Sequence, residues 1–112
     1  MTRINFNDDN IEIKHPDAGG GTYYYYYYQG QPFTGILEEF YSNGNLIGEI
    51  TVVNGHVDGR QTQYYENGQI KEECFEKLNA LYNTYKYWNE LGNLILHIIH
   101  DNNGNEIQRV IG

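Results

Sequence analysis

Residues 35–50 read GILEEFYSNGNLIGEI, residues 59–74 read GRQTQYYENGQIKEEC, and residues 83–98 read NTYKYWNELGNLILHI. Laid over one another, they place Gly44, Gly68 and Gly92 at intervals of 24 residues. The same interval relates Phe40, Tyr64 and Trp88, then Leu46, Ile70 and Leu94, then Ile50, Cys74 and Ile98. Gly35 and Gly59 open the first two units, and Asn83 stands in their place in the third. Columns that keep their residue class through three units mark a repeat, in which each unit packs mainly on its neighbours.

Each unit carries an aromatic just before a turn and an aliphatic just after it, which is the pattern of a β-hairpin. Asn43-Gly44 and Asn67-Gly68 suit a two-residue turn with two positive φ angles, but Leu91-Gly92 does not, because Leu resists positive φ. A three-residue loop, in which only the Gly is left-handed, suits all three units. Phe40 then pairs with Leu46 and Ile36 with Ile50, and Tyr64–Ile70 and Trp88–Leu94 repeat the arrangement. This face is expected to be core. Alternation sends Leu37, Glu39, Tyr41, Ile47, Glu49 and Thr51, with Gln61, Gln63, Tyr65, Lys71, Glu73 and Phe75, to a second face that meets water or a partner.

Further turns fall at Gly30–Gly35, Asn54–Gly59 and Asp101–Asn105. Strands are expected near 22–28, 34–41, 46–53, 59–65, 70–76, 82–89, 94–100 and 105–111. Connections this short make sequence neighbours sheet neighbours, so the fold expected is all-β, a single elongated antiparallel meander of repeated hairpins. Residues 1–112 form one domain in this reading. An N-terminal arm or cap takes 1–21, the hairpin array 22–104, and a C-terminal cap strand 105–112.

The composition agrees and narrows the function. The 112 residues include 12 Tyr, 13 Gly and 14 Asn, against two Pro, a balance that favours strands and tight turns. Fifteen acids against seven Lys and Arg give a net charge of −8. An acidic chain is unsuited to the phosphate backbone, so nucleic acid is not an expected partner. Anionic lipid also attracts bases rather than acids, so no membrane partner is expected either. The N-terminus has no apolar run of signal-peptide length, and the cytoplasm is the expected location.

No catalytic constellation emerges, and no enzyme activity, metal or cofactor is expected. His97 and His100 are three apart, and on a strand they face opposite ways; His56 lies in a turn and His15 in the arm. Cys74, the single cysteine, shares its column with Ile50 and Ile98 and reads as a small buried hydrophobe. Ser42 sits in a turn with no nucleophile-elbow motif around it. Glu38-Glu39 and Glu72-Glu73 are strand neighbours that point to opposite faces and form no acid–base dyad.

The remaining candidate is a distributed surface. Tyr23 to Tyr28 form an unbroken tyrosine run, and one alternate set, Tyr23, Tyr25 and Tyr27, is expected to contact a partner. If that strand lies at an edge, it also offers a route to a homo-oligomer. Glu39, Glu49, Glu66 and Glu73, with Tyr41, Tyr65 and Tyr87, are expected to form an acidic aromatic stripe complementary to a basic cleft, such as that of a nuclease toxin.

The wording Tyr64-Tyr65-Glu66-Asn67-Gly68-Gln69-Ile70-Lys71, with Phe40 to Leu46, Gly30 to Gly35 and Gly55 to Gly59, resembles the variant MORN repeat of YwqK-like antitoxin and immunity proteins. The resemblance spans roughly residues 30 to 96. It implies a β-hairpin array used for binding, without catalytic machinery, that holds a cognate toxin inactive. Other MORN-repeat proteins act as scaffolds. The third unit departs at Asn83, Asn89 and Leu91.

Overall fold

A computed structural model describes residues 2–14, 25–77 and 80–112. Eight strands form the main sheet: β1 (Arg3–Asn5), β5 (Gly35–Phe40), β6 (Leu46–Val53), β7 (His56–Tyr64), β8 (Ile70–Lys77), β9 (Ala80–Trp88), β10 (Leu94–His100) and β11 (Glu106–Ile111). From β5 to β11 they follow sequence order and pair antiparallel, the expected meander. Beyond it, β2 (Ile11–Lys14), β3 (Tyr25–Tyr28) and β4 (Gln31–Pro32) form a separate three-stranded sheet. Within the N-terminal segment, β1 adds parallel to β5 at the array's first edge and β2 joins the small sheet.

The turns explain the 24-residue period. In the first, Tyr41 N–H donates to Asn45 O at 2.7 Å and Gly44 N–H to Tyr41 O at 2.9 Å. The same pair of bonds recurs around Gly68, Gly92 and Gly104. These glycines have φ of 91°, 93°, 87° and 84°, while Asn43, Asn67 and Leu91 keep negative φ. The loop is thus the expected three-residue one, and Leu91 sits in it without strain.

Within the hairpins register departs from expectation at one recurring point, and between hairpins it also shifts at Ile50/Val52 and Glu73/Phe75. Phe40 pairs with Leu46 as expected, but Glu39 then pairs with Gly48, so Ile47 is an extra residue. Lys71, Ile95 and Ile107 are skipped in the same way. Each bulge lies three residues past a turn glycine, and a one-residue slip sends every later side chain on that strand to the opposite face. Leu37 therefore pairs with Ile50, and Ile36 with Thr51. The residues expected together on each face are correct before the bulge and exchanged after it.

One face of the main sheet, the near face, carries Leu37, Glu39, Gly48, Ile50, Val52, Gln61, Gln63, Glu72, Cys74, Tyr87 and Ile98. The small sheet packs here. Tyr26, Phe33, Leu37 and Val52 form the buried cluster, joined by Ile4, Phe6, Ile11, Tyr28, Ile50 and Val57. Leu37 is 1% exposed and Val52 0%, and removing such side chains from water stabilises by about 1.5–3 kcal/mol each. Backbone bonds fix the docking: Tyr26 N–H donates to Gly55 O and Gly55 N–H to Phe33 O, both at 2.8 Å.

The opposite, far face carries Ile36, Glu38, Phe40, Leu46, Glu49, Thr62, Tyr64, Ile70, Glu73, Lys86, Trp88, Leu94 and His97. The core expected here is absent. Phe40 and Leu94 are each 41% exposed, because the small sheet covers the other side.

Candidate functional site

The near face continues past the small sheet as an open surface built by β5 to β10. A concavity of about 180 Å³ opens there, with a floor of Phe6, Leu37, Gly48 and Ile50 and walls that include Glu39, Gln61, Gln63 and Glu72. Gly48 makes the hollow, since it stands where the second unit has Glu72 and the third Leu96.

Charge divides unequally between the faces. On the far face Arg3 pairs with Glu38 at 3.2 Å and with Glu49, and Arg60 pairs with Glu73 at 2.7 Å. The two glutamates hold the Arg3 guanidinium above its ordinary pKa, Glu49 more than Glu38. On the near face, Glu39, Glu72 and Glu76 have no ion-pair partner among the described residues. Tyr85 O–H donates to Glu72 at 2.6 Å and Gln61 Nε2–H to Glu76 at 2.7 Å, so both carboxylates are held but remain uncompensated. Burial and then the bond to Glu72 push the Tyr85 phenol well above its ordinary pKa.

The sequence-predicted residues thus fall into groups. Glu39 and Tyr87 share the near face, whereas Glu49 and Glu73 lie on the far face in ion pairs. Tyr41 and Tyr65 tie neighbouring hairpins together: Tyr41 O–H donates to Tyr64 O at 2.8 Å, and Tyr65 O–H to Trp88 O at 2.7 Å. The Tyr87 hydroxyl beside it, followed by desolvation, pushes the Tyr65 phenol up to about 12. Glu66 is exposed in the second turn, where its carbonyl accepts from Asn43 and Asn45 at 3.2 and 2.8 Å.

Tyr23 lies outside the described residues. Tyr25 packs edge-on against His56, with ring centres 4.6 Å apart, and the Lys14 ammonium lies 4.3 Å from the Tyr27 ring centre. The tyrosine strand is not at an edge but central in its sheet, with β2 on one side and β4 on the other. Its alternation is as expected, and Tyr26 is the ring turned into the core.

Gln61 and Gln63 were legible as surface partners of Glu39. Glu72 and Tyr85 were not, because the bulge at Lys71 decides which face Glu72 takes. Cys74 is buried, and that burial, then Glu72, pushes its thiol up to about 11, which leaves little thiolate for nucleophilic chemistry. Among the described residues, no three His, Cys, Asp or Glu side chains gather to hold a metal ion. No helix among them is long and apolar enough to cross a membrane.

Residues 33–54 and 57–75 match the MORN repeat variant family. These two segments are similar to MORN-variant repeats. The match covers the first two units and supports a MORN-repeat family for the chain, and it points to a repeat-built protein-interaction scaffold. The match ends at residue 75, yet the third unit has the same turn and the same bulge as the two matched units. No curated protein and no solved structure matches the chain significantly.

Proposed function

We propose that this chain is a non-enzymatic immunity or antitoxin protein of the cytoplasm that binds a basic bacterial protein toxin with its near face. The observation that carries the reading is the division of charge. On the far face Glu38 and Glu49 share Arg3 and Glu73 holds Arg60, whereas among the described residues Glu39, Glu72 and Glu76 have no ion-pair partner and lie on the face that carries Tyr85, Tyr87 and the hollow. Unpaired carboxylates draw a basic cleft toward them during encounter, and aromatic side chains supply contact area once it arrives. Inhibition then requires no chemistry, because a sheet laid over a nuclease-like cleft excludes its substrate.

The test is co-expression in bacteria with the product of the neighbouring gene. Growth should be rescued by the native protein and lost with Glu39→Lys/Glu72→Lys, while far-face reversal at Glu73 leaves rescue intact. The association rate of the purified pair should fall about tenfold or more from low to physiological salt. Absence of rescue by the native chain, or an association rate indifferent to salt and to both reversals, would remove the reading.

A further inference from the structure

The near-face hollow lies on one row of residues that runs across the strands. Glu39 pairs with Gly48, Gly48 with Gln63, Gln63 with Glu72, and Glu72 with Tyr87. Strands lie about 4.8 Å apart, which sets the backbones of Glu39 and Glu72 about 14 Å from each other. Between them Gly48 contributes no side chain, and the floor is apolar, made by Phe6, Leu37 and Ile50. An acid therefore stands on either side of an apolar depression. At about 180 Å³ the hollow falls below the roughly 300–1,000 Å³ of a small-molecule site, so it suits a single side chain better than a free ligand. It also occurs once in the array, because the later units fill the Gly48 column with Glu72 and Leu96.

Building on the antitoxin reading, on which this inference rests, we propose that the hollow is an anchor pocket for one arginine of the basic partner. The stem of that arginine lies on Phe6, Leu37 and Ile50, and its guanidinium lies between Glu39 and Glu72. An apolar floor with an acidic rim fits a side chain that is apolar along its length and cationic at its tip, as Arg and Lys are. The separation of the two acids favours Arg. A guanidinium carries five N–H donors in a rigid fork and addresses acceptors on two sides at once, whereas a Lys ammonium is a compact, strongly hydrated point charge.

The chain itself shows this pairing on its far face, where Arg3 serves Glu38 and Glu49 together and Arg60 serves Glu73. Among the described residues no Arg or Lys does the same for Glu39 or Glu72. Lys71, next to Glu72 in sequence, lies over the Tyr65 ring instead. The walls have acceptor capacity in hand. Glu72 takes the Tyr85 hydroxyl at 2.6 Å, and a carboxylate offers about four lone-pair sites. Gln61 gives its Nε2–H to Glu76, which leaves its carbonyl oxygen as an acceptor on the same wall.

The test is a titration of the full chain with N-acetyl-arginine-N-methylamide, followed by two-dimensional amide NMR. The amides of Gly48, Gln63 and Glu72 should shift together and saturate with a dissociation constant of about 1–10 mM. The citrulline analogue, which has nearly the same shape and no charge, should bind about tenfold more weakly or worse, and the lysine analogue should fall between the two. Glu39→Gln/Glu72→Gln should abolish the shifts with the circular dichroism spectrum unchanged, while Glu90→Gln, at an exposed turn residue, should leave them intact. No saturable shift up to about 50 mM, citrulline binding equal to arginine, or shifts indifferent to the double change would each overturn the proposal. Co-expression separates it from the reading on which it rests. Rescue that survives Glu39→Gln/Glu72→Gln but not the double Lys reversal would strike the anchor and keep the antitoxin. Arginine capture without rescue by the native chain would strike the antitoxin alone.

Discussion

Asn89 shows how one residue can absorb two departures from a repeat. In the first two units an aromatic stands at this position, and the turn asparagine two residues on accepts a backbone bond: Asn45 N–H donates to Asn43 Oδ1 at 2.9 Å, and Gln69 N–H to Asn67 Oδ1 at 3.0 Å. The third unit has Leu91 there, which accepts nothing. Asn89 Oδ1 replaces it from the other side of the loop, taking both Leu91 N–H and Asn93 N–H at 3.0 Å. Asp101 does the same in the last turn, accepting from Asn103 and Asn105 at 2.9 Å each. What reads as two separate losses in the sequence is one exchange. Asn89→Ala should therefore destabilise by about 1–2 kcal/mol, because two exposed turn donors lose their acceptor. Leu91→Asn should be close to neutral alone and should recover part of that loss in the Asn89→Ala background, since the introduced amide oxygen would accept from Asn93 N–H as Asn43 does from Asn45. Urea denaturation of the four chains checks this; strictly additive effects would mean that the two positions do not share the turn.

At the scale of the hairpin, the governing feature is the bulge three residues after each turn glycine. The turns were legible because they need chemistry that shows: a glycine for the left-handed residue and Asn or Asp to hold the loop. The opening column was legible too, and its reason is structural, since Gly59 and Asn83 take φ of 117° and 61°, a region that Gly tolerates freely and Asn better than most. The bulge needs no such residue. Ile47, Lys71, Ile95 and Ile107 are side chains that suit any regular strand, so strict alternation carried Glu49 and Glu73 to the near face and left Glu72 off it. The parallel pairing of β1 was likewise hidden, since three residues of an N-terminal segment carry too little pattern to name their neighbour. Gly48 answers to the close approach of β7. A Cβ there would lie 2.7 Å from Thr62 O, a backbone atom that cannot rotate away. Gly48→Ala should cost about 1–3 kcal/mol by forcing β6 and β7 apart, read as a lowered midpoint in thermal or urea unfolding. An unchanged midpoint would show that β6 and β7 separate at no cost.

Across the whole molecule, stability is distributed by where a second layer exists. The small sheet covers β5 to β7 on the near face, and the fully buried side chains, Leu37 and Val52, lie beneath it. Further along, the array depends on ladder bonds, on the Tyr65 staple and on two isolated buried side chains, Cys74 and Ile98, while β11 is exposed at every position. In a linear array each hairpin is supported by its neighbours alone, so local opening should cost least at the end farthest from the two-layered region. Native-state hydrogen exchange should therefore give a gradient: slowest in β5 and β6, intermediate in β8 and β9, fastest in β11. Uniform protection from β5 to β11 would mean that the sheet opens only as a whole, and that the small sheet adds nothing to the strands it covers. A gradient that inverts, with β9 and β10 slowest, would place the stabilising layer at the Trp88 end of the array, away from the small sheet.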